Sequence, residues 1–246
     1  KERPDRQALK EAGTVGESSV RYFIDGLLQK GRLIDYIENF IMFRNQKNKI
    51  IAKNHQYFGV NNLMESVKNR AELQGKLGVF WHTQGSGKSF SMVFFARKVR
   101  RKISGNFTFL IITDREDLDD QIHKNFVKTE VIGQKEECQP KNGKQLRDYL
   151  QTNKSFIFTL IHKFRYDKGK KYPVLSTRDD IIVLVDEAHR TQYKDLAENM
   201  RTALPNANYI AFTGTPLLGS KRLTNQWFGN YVSEYNFAQS VEDGST

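Results

Sequence analysis

Five short apolar runs punctuate the chain, at 77–81, 108–113, 155–160, 181–185 and 208–213, with helical or polar stretches between them. Runs of this length that do not alternate with polar residues predict strands buried on both faces. Strands that take turns with helices predict an α/β fold, a mostly parallel sheet covered on both sides. Asn230–Tyr235 reads as one more strand. Helical spacing links Tyr57, Val60, Met64 and Val67, then Met92, Phe95, Ala96, Val99 and Ile103, then Leu118, Ile122 and Phe126, with Asp114 placed to cap the last. Upstream, Leu33, Ile34, Ile37, Phe40 and Ile41 predict an amphipathic helix, preceded by Tyr22-Phe23-Ile24 and Leu27-Leu28. The expected organisation is a helical lead-in over 1–52, an α/β lobe over 53–231 and a polar connector over 232–246. No internal repeat or low-complexity tract interrupts it.

The chemistry lies where these runs end. Leu77–Trp81 leads into His82-Thr-Gln-Gly-Ser-Gly-Lys-Ser89 and then into a helix. Strand, glycine loop and helix in that order make a phosphate cradle, lined by Gln84, Gly85, Ser86, Gly87, Lys88 and Ser89. The glycines let successive N–H groups point inward, and the helix N-terminus adds partial positive charge. Lys88 is suited to the β and γ phosphates of ATP and Ser89 to Mg²⁺. His82 occupies the position where this loop usually has glycine.

Ile181–Val185 is followed by Asp186-Glu187-Ala188-His189. Two carboxylates at the end of a buried strand are costly unless a cation or water satisfies them. Asp186 is suited to hold Mg²⁺ and Glu187 to orient an attacking water. Taken alone, the pair also fits a helix cap and a first-turn acid. The third strand end, Thr213-Gly214-Thr215-Pro216, offers hydroxyls to the acidic pair and to His189, and alone reads equally as a Gly-Pro turn.

The ordered set of P-loop, Asp-Glu-Ala-His and Thr-Gly-Thr-Pro resembles superfamily 2 helicases and translocases. Trp81–Ser89, Thr113–Gln121, His55-Gln-Tyr-Phe58 and Phe158–Phe164 are similar to the motor subunit of type I restriction enzymes, although Leu160 and His162 depart from that pattern. The resemblance implies a RecA-like P-loop NTPase lobe and an ATP-driven translocase of double-stranded DNA. It implies methyltransferase and specificity subunits as partners and a nuclease on the same subunit. It assigns ATP and Mg²⁺ binding to the P-loop and Thr213 and Thr215. Catalysis falls to Lys88, Asp186, Glu187 and His189, and adenine recognition to Gln56. Thr113, Arg115, Thr159 and Lys163 become candidates for DNA contact. None of the 28 acidic residues is followed two positions later by lysine. The nuclease centre, with its carboxylate-x-lysine signature, is therefore expected elsewhere, as is the second motor lobe with its arginine finger. A chain opening on Lys1 fits an internal fragment. The 246 residues alone are expected to bind ATP weakly and hydrolyse it very slowly.

Charge modifies this picture modestly. The net charge is +11, spread over the first 180 residues. One basic cluster, Arg97 to Lys102, closes the helix after the P-loop and reads as capping or as a DNA contact. A second, Lys163, Arg165, Lys168, Lys170 and Lys171, is interleaved with Tyr166 and Tyr172 in a predicted loop. A sequence-independent motor should grip phosphates rather than base edges. Cys138 is the single cysteine, in a polar stretch read as loop, which fits a reducing cytoplasm. No run approaches the roughly 20 apolar residues of a membrane span. An RNA helicase, a type III restriction motor, a nucleotide-binding module without turnover and a small-molecule kinase are the competing readings.

Overall fold

The structure is a computed structural model that describes residues 26, 28–167, 170–187, 194–215 and 227–243. Its centre is a six-stranded sheet of order β5-β4-β6-β7-β3-β8. The strands are β3 (Lys76–His82), β4 (Thr108–Thr113), β5 (Phe156–Leu160), β6 (Ile181–Asp186), β7 (Asn208–Thr213) and β8 (Tyr231–Tyr235). Every neighbouring pair is parallel. All six C-terminal ends therefore lie along one edge, where open α/β sheets bind ligands.

Period-two alternation divides the core. Phe80, Phe109, Ile111, Ile182, Leu184, Ile210 and Phe212 point to one face, under α2 (Asn54–Lys68), α3 (Lys88–Lys102) and α4 (Glu116–Lys128). Val79, Leu110, Ile112, Ile157, Val183 and Ala211 point to the other, under α5 (Gly143–Gln151) and α6 (Lys194–Ala203). Buried phenylalanines of the first face each contribute roughly 2–3 kcal/mol. Among the described residues, no helix is long and apolar enough to cross a membrane.

The lead-in departs from a purely helical reading. Helix α1 covers Lys30–Asn39 and stops short of Ile41. Phe40 turns inward, fully buried, and its carbonyl accepts from Ala52 N. A hairpin of β1 (Ile41–Arg44) and β2 (Asn48–Ile51) follows. Asn45 and Gln46, the first two residues of its three-residue loop, have left-handed φ of 52° and 58°, and Lys47 N donates to the Arg44 carbonyl (3.2 Å). The apolar residues at 22–24 and 27 lie outside the described residues.

The basic cluster on α3 anchors this lead-in. Arg97 donates to the Ile41 carbonyl (2.8 Å), Arg101 to the Glu38 carbonyl, and Lys102 pairs with Glu38 (2.5 Å). Lys98 is 7% exposed, donates to Asp35 and Asn61 at 2.5 Å, and lies over the Phe40 ring. Burial pulls the Lys98 ammonium down, opposed by Asp35. Burial also raises Asp35, but Lys98 outweighs it and holds the carboxyl below its usual range.

The strand expected at 230–235 is present as β8, but it and two helices depart from the expected boundaries. β8 pairs with β3, so the sheet runs past residue 231 to Tyr235. Helix α7 (Phe237–Glu242) occupies part of the expected connector, closed by a capping box between Asn236 and Gln239. Helix α4 begins after Arg115, not under a cap from Asp114. Its first turn carries Glu116, Asp117 and Asp119, which suit the positive end of the helix dipole. Cys138 does sit outside regular structure, but it is buried, and burial pushes its thiol up to about 12.

Candidate active site

The strand order puts the three motifs side by side. β7 lies between the P-loop strand β3 and the acidic strand β6. Phe212 is in register with Phe80 on one side and with Asp186 on the other. With strands about 4.8 Å apart, Asp186 sits about 10 Å across the sheet from the strand that launches the P-loop. Lys88, the first residue of α3, reaches into that gap.

It does so over Gly214. A Cβ placed on Gly214 would lie 3.2 Å from Lys88 Nζ and 3.4 Å from Glu187 Oε1. The lysine and glutamate thus flank one point, and the missing side chain of Gly214 leaves it open. Lys88 Nζ donates to the His82 carbonyl (3.1 Å) and the Thr83 carbonyl (3.4 Å). Burial lowers its pKa, while Glu187 and Asp186 act in the opposite direction. Burial and the neighbouring Glu187 push Asp186 up to about 7, against the pull of Lys88; Asp114 adds to the rise. Glu187 itself has φ of 51°, a left-handed backbone unusual outside glycine. Such strain costs about 1–3 kcal/mol and concentrates at functional sites.

The P-loop backbone curls through Gly85 and Gly87, both at φ 83°. Gly87 is also hemmed in, since a Cβ there would lie 2.9 Å from Gln56 Nε2. Gln84 is exposed, whereas Ser86 is buried and its Oγ lacks a hydrogen-bond partner. Buried Asp186 Oδ1 likewise lacks one. Orphaned acceptors beside a buried ammonium are what a metal–phosphate group would satisfy. The residues present therefore fit a nucleotide with Mg²⁺, which Ser89 and Asp186 would hold.

Several assignments change in the structure. Gln56 is 5% exposed, and its amide faces protein rather than an open base pocket. Its Oε1 accepts from Lys53 N (2.9 Å), while Nε2 donates to Gly87 O (3.0 Å) and Ser91 Oγ (3.4 Å). Both amide hydrogens are engaged, so as placed Gln56 clamps the P-loop and has no donor left for an adenine nitrogen. Thr213 is fully buried; its hydroxyl donates to Thr215 O (3.1 Å) and accepts from Thr215 N (3.3 Å). His189 lies outside the described residues, as do Ala188 and Pro216.

The four DNA candidates separate. Thr113 and Thr159 are buried in the sheet at 1% and 0% exposure, so neither side chain reaches a ligand from solvent. Thr113 closes the central strand β4, and Thr159 lies next to the end of the edge strand β5, where it is covered all the same. Arg115 is exposed but forks onto Asp117 through two hydrogen bonds of 3.0 and 2.7 Å. Lys163, half-buried, donates to the Pro140 carbonyl (2.6 Å). Arg165, Lys170 and Lys171 are exposed around the Tyr166–Tyr172 ring pair, and Lys168 lies outside the described residues.

Two histidines support the loop without having been assigned. His55 Nε2 lies 2.9 Å from the Ser86 carbonyl, and its ring stacks on Tyr235 at 3.9 Å. His82 is fully buried with Nε2 2.7 Å from Ser233 Oγ. Burial holds both rings below the usual histidine range; for His82, His55 and Lys88 add to it. A neutral imidazole at the first loop position adds no charge beside Lys88.

The profile of the SWI2/SNF2 ATPases matches residues 55–246. This chain belongs to that family. As a SWI2/SNF2 ATPase domain it is 38% identical, over 96% of its length, to the type I restriction enzyme HindI endonuclease subunit of Haemophilus influenzae. The similarity to restriction motor subunits carried by the motifs thus extends along nearly the whole chain. The SWI2/SNF2 chain spans about a quarter of the length of the curated relatives it matches. Among solved structures, the UvsW helicase from bacteriophage T4 superposes with a TM-score of 0.57 at 14% identity, over 94% of this chain and 75% of that one. The ATP-dependent type ISP restriction-modification enzyme LlaBIII bound to DNA superposes with a TM-score of 0.55 at 14% identity, over 93% of this chain and 18% of that one. At such identities these two neighbours establish the fold alone.

Proposed function

We propose that this chain is the first RecA-like lobe of an ATP-driven double-stranded DNA translocase belonging to a type I restriction endonuclease. The observation that carries the reading is the convergence of Lys88, Asp186 and Glu187 at adjacent strand ends around Gly214. Lys88 exchanges its two loop carbonyls for β and γ phosphate oxygens of ATP. Ser89 and Asp186 hold Mg²⁺, which when bound neutralises charge on the transferring phosphoryl group. Glu187 orients the water that attacks in line. His189 couples this centre to Thr213 and Thr215.

The DNA track is assigned to the exposed basic and aromatic surface of Arg165, Lys170 and Lys171 with Tyr166, rather than to the buried Thr113 and Thr159. Contacts of this kind grip phosphate and tolerate any sequence. Methyltransferase and specificity subunits and a nuclease domain complete the assembly, and a second lobe supplies the arginine finger. The 246 residues alone then bind ATP weakly and turn it over slowly.

The test is steady-state ATP hydrolysis by the full-length protein with linear duplex DNA or RNA, combined with displacement of a triplex-forming strand from the duplex. Stimulation and displacement on duplex DNA are expected. Stimulation by RNA alone would transfer the chain to the RNA helicases. Turnover by the isolated 246 residues matching the full-length rate would contradict the need for a second lobe.

A further inference from the structure

Asn125 is a buried amide in an apolar setting. It lies on α4, 7% exposed, between Ile122 and Phe126, which belong to the core under the sheet. A leucine would fill that position without the desolvation cost of an amide. The amide has a specific partner, for Asn125 Nδ2 donates to Ser89 Oγ across 3.2 Å. On the backbone side, Thr129 Oγ1 donates to the Asn125 carbonyl (2.7 Å), which ties down the following turn of the helix.

The consequence follows from the valence of a hydroxyl, which has one hydrogen and two lone pairs. A serine in the first turn of a helix readily folds its hydroxyl back onto nearby backbone groups. A donor fixed on α4 occupies one lone pair of Ser89 and holds the rotor. The second lone pair remains for a cation and the hydrogen for an acceptor.

We propose that Asn125 is a positioning residue for the Mg²⁺-binding hydroxyl of Ser89. This rests on the reading of Ser89 as a metal ligand and extends it to a residue outside every motif. It assigns α4 a role in the metal site although the helix contributes no ligand.

The experiment compares ATP binding by the full-length protein with Mg²⁺ present and with the metal chelated, for wild type, Asn125→Leu, Asn125→Ala, Ser89→Ala and Ser89→Ala with Asn125→Leu. Thermal unfolding of each is recorded, and whichever Asn125 variant keeps the wild-type midpoint carries the comparison. In that variant the gain in affinity from Mg²⁺ falls by roughly three- to tenfold, with metal-free affinity unchanged. In the Ser89→Ala background the same change has no further effect on the gain. An equal fall with and without metal would assign Asn125 to general support of the loop and overturn the proposal. An undiminished gain would overturn it too, leaving the ATPase reading intact. A wild-type protein with no gain from Mg²⁺ would overturn both.

Discussion

Lys88 and Glu187, far apart in the chain, both approach Gly214, 3.2 and 3.4 Å from where its side chain would begin. A methyl group at Gly214 would crowd both. Gly214→Ala should therefore displace the ammonium without unfolding the sheet, since the position is half-buried at the end of β7. ATP turnover is expected to drop at least about tenfold, equivalent to about 1.4 kcal/mol of lost transition-state stabilisation. The unfolding midpoint should move by no more than a few degrees. Assay of turnover and thermal unfolding on the same preparation checks both halves.

Asp186 gives the site a defined response to pH. Its carboxyl titrates near 7 in the folded protein, above the ordinary carboxylate value, because it is buried beside Glu187. The metal requires the ionised form, so binding of Mg²⁺ with ATP should tighten as pH rises from 6 to 8. Below pH 7 binding should release a proton, detectable by calorimetry in buffers of different ionisation heat. The metal-free protein should behave in the opposite sense. A raised acid binds its proton more tightly when folded, so this contribution to stability is complete below about pH 4 and is lost as pH rises to about 7.

Gln56 separates two roles. An amide that clamps the P-loop through Gly87 and caps α2 through Lys53 should affect every nucleotide alike. Gln56→Ala is expected to weaken ATP and GTP binding by the same factor, roughly fivefold or more for the lost hydrogen bonds. A selective loss of ATP over GTP would restore the adenine-recognition role.

The strands were legible because their apolar runs lack alternation, which is what a parallel sheet buried on both faces requires. The hairpin was not, because Asn45-Gln46 adopts a left-handed turn without the glycine that usually signals one. Helix α5 was hidden in a polar stretch, although Leu146, Tyr149 and Leu150 have helical spacing and Asn142 caps it by accepting from Gln145 N. At the site, the convergence of Lys88, Asp186 and Glu187 was readable because all three lie at or beyond the ends of parallel strands. Asn125 was not, since a polar residue on an apolar helix face shows its purpose only when its partner across the core is known. Thr113 and Thr159 misled for a related reason. Strand-end hydroxyls look available, but Thr113 on central β4 and Thr159 on edge β5 are both covered by packing that the local sequence does not reveal.

The basic cluster of α3 has a structural role that can be measured. Lys98 sits between Asp35, Asn61 and the Phe40 ring, and removing it leaves the half-buried Asp35 carboxylate without its cation, although Asn39 and Asn61 still donate to it. Lys98→Ala should cost about 2 kcal/mol in denaturant unfolding. Lys98→Met combined with Asp35→Leu should recover much of that loss. Salt dependence of DNA binding should be unchanged in the double variant, because Lys98 faces α1 and not solvent.

The central claim is that one nucleotide is held and hydrolysed where Lys88, Asp186 and Glu187 converge. Glu187→Gln tests it most directly, in single-turnover ATP hydrolysis by the full-length protein with ATP affinity measured alongside. The geometry predicts affinity within about threefold of wild type and hydrolysis slowed roughly 100-fold or more. Hydrolysis at the wild-type rate with affinity intact would show that Glu187 does not act on the attacking water, and would contradict the account.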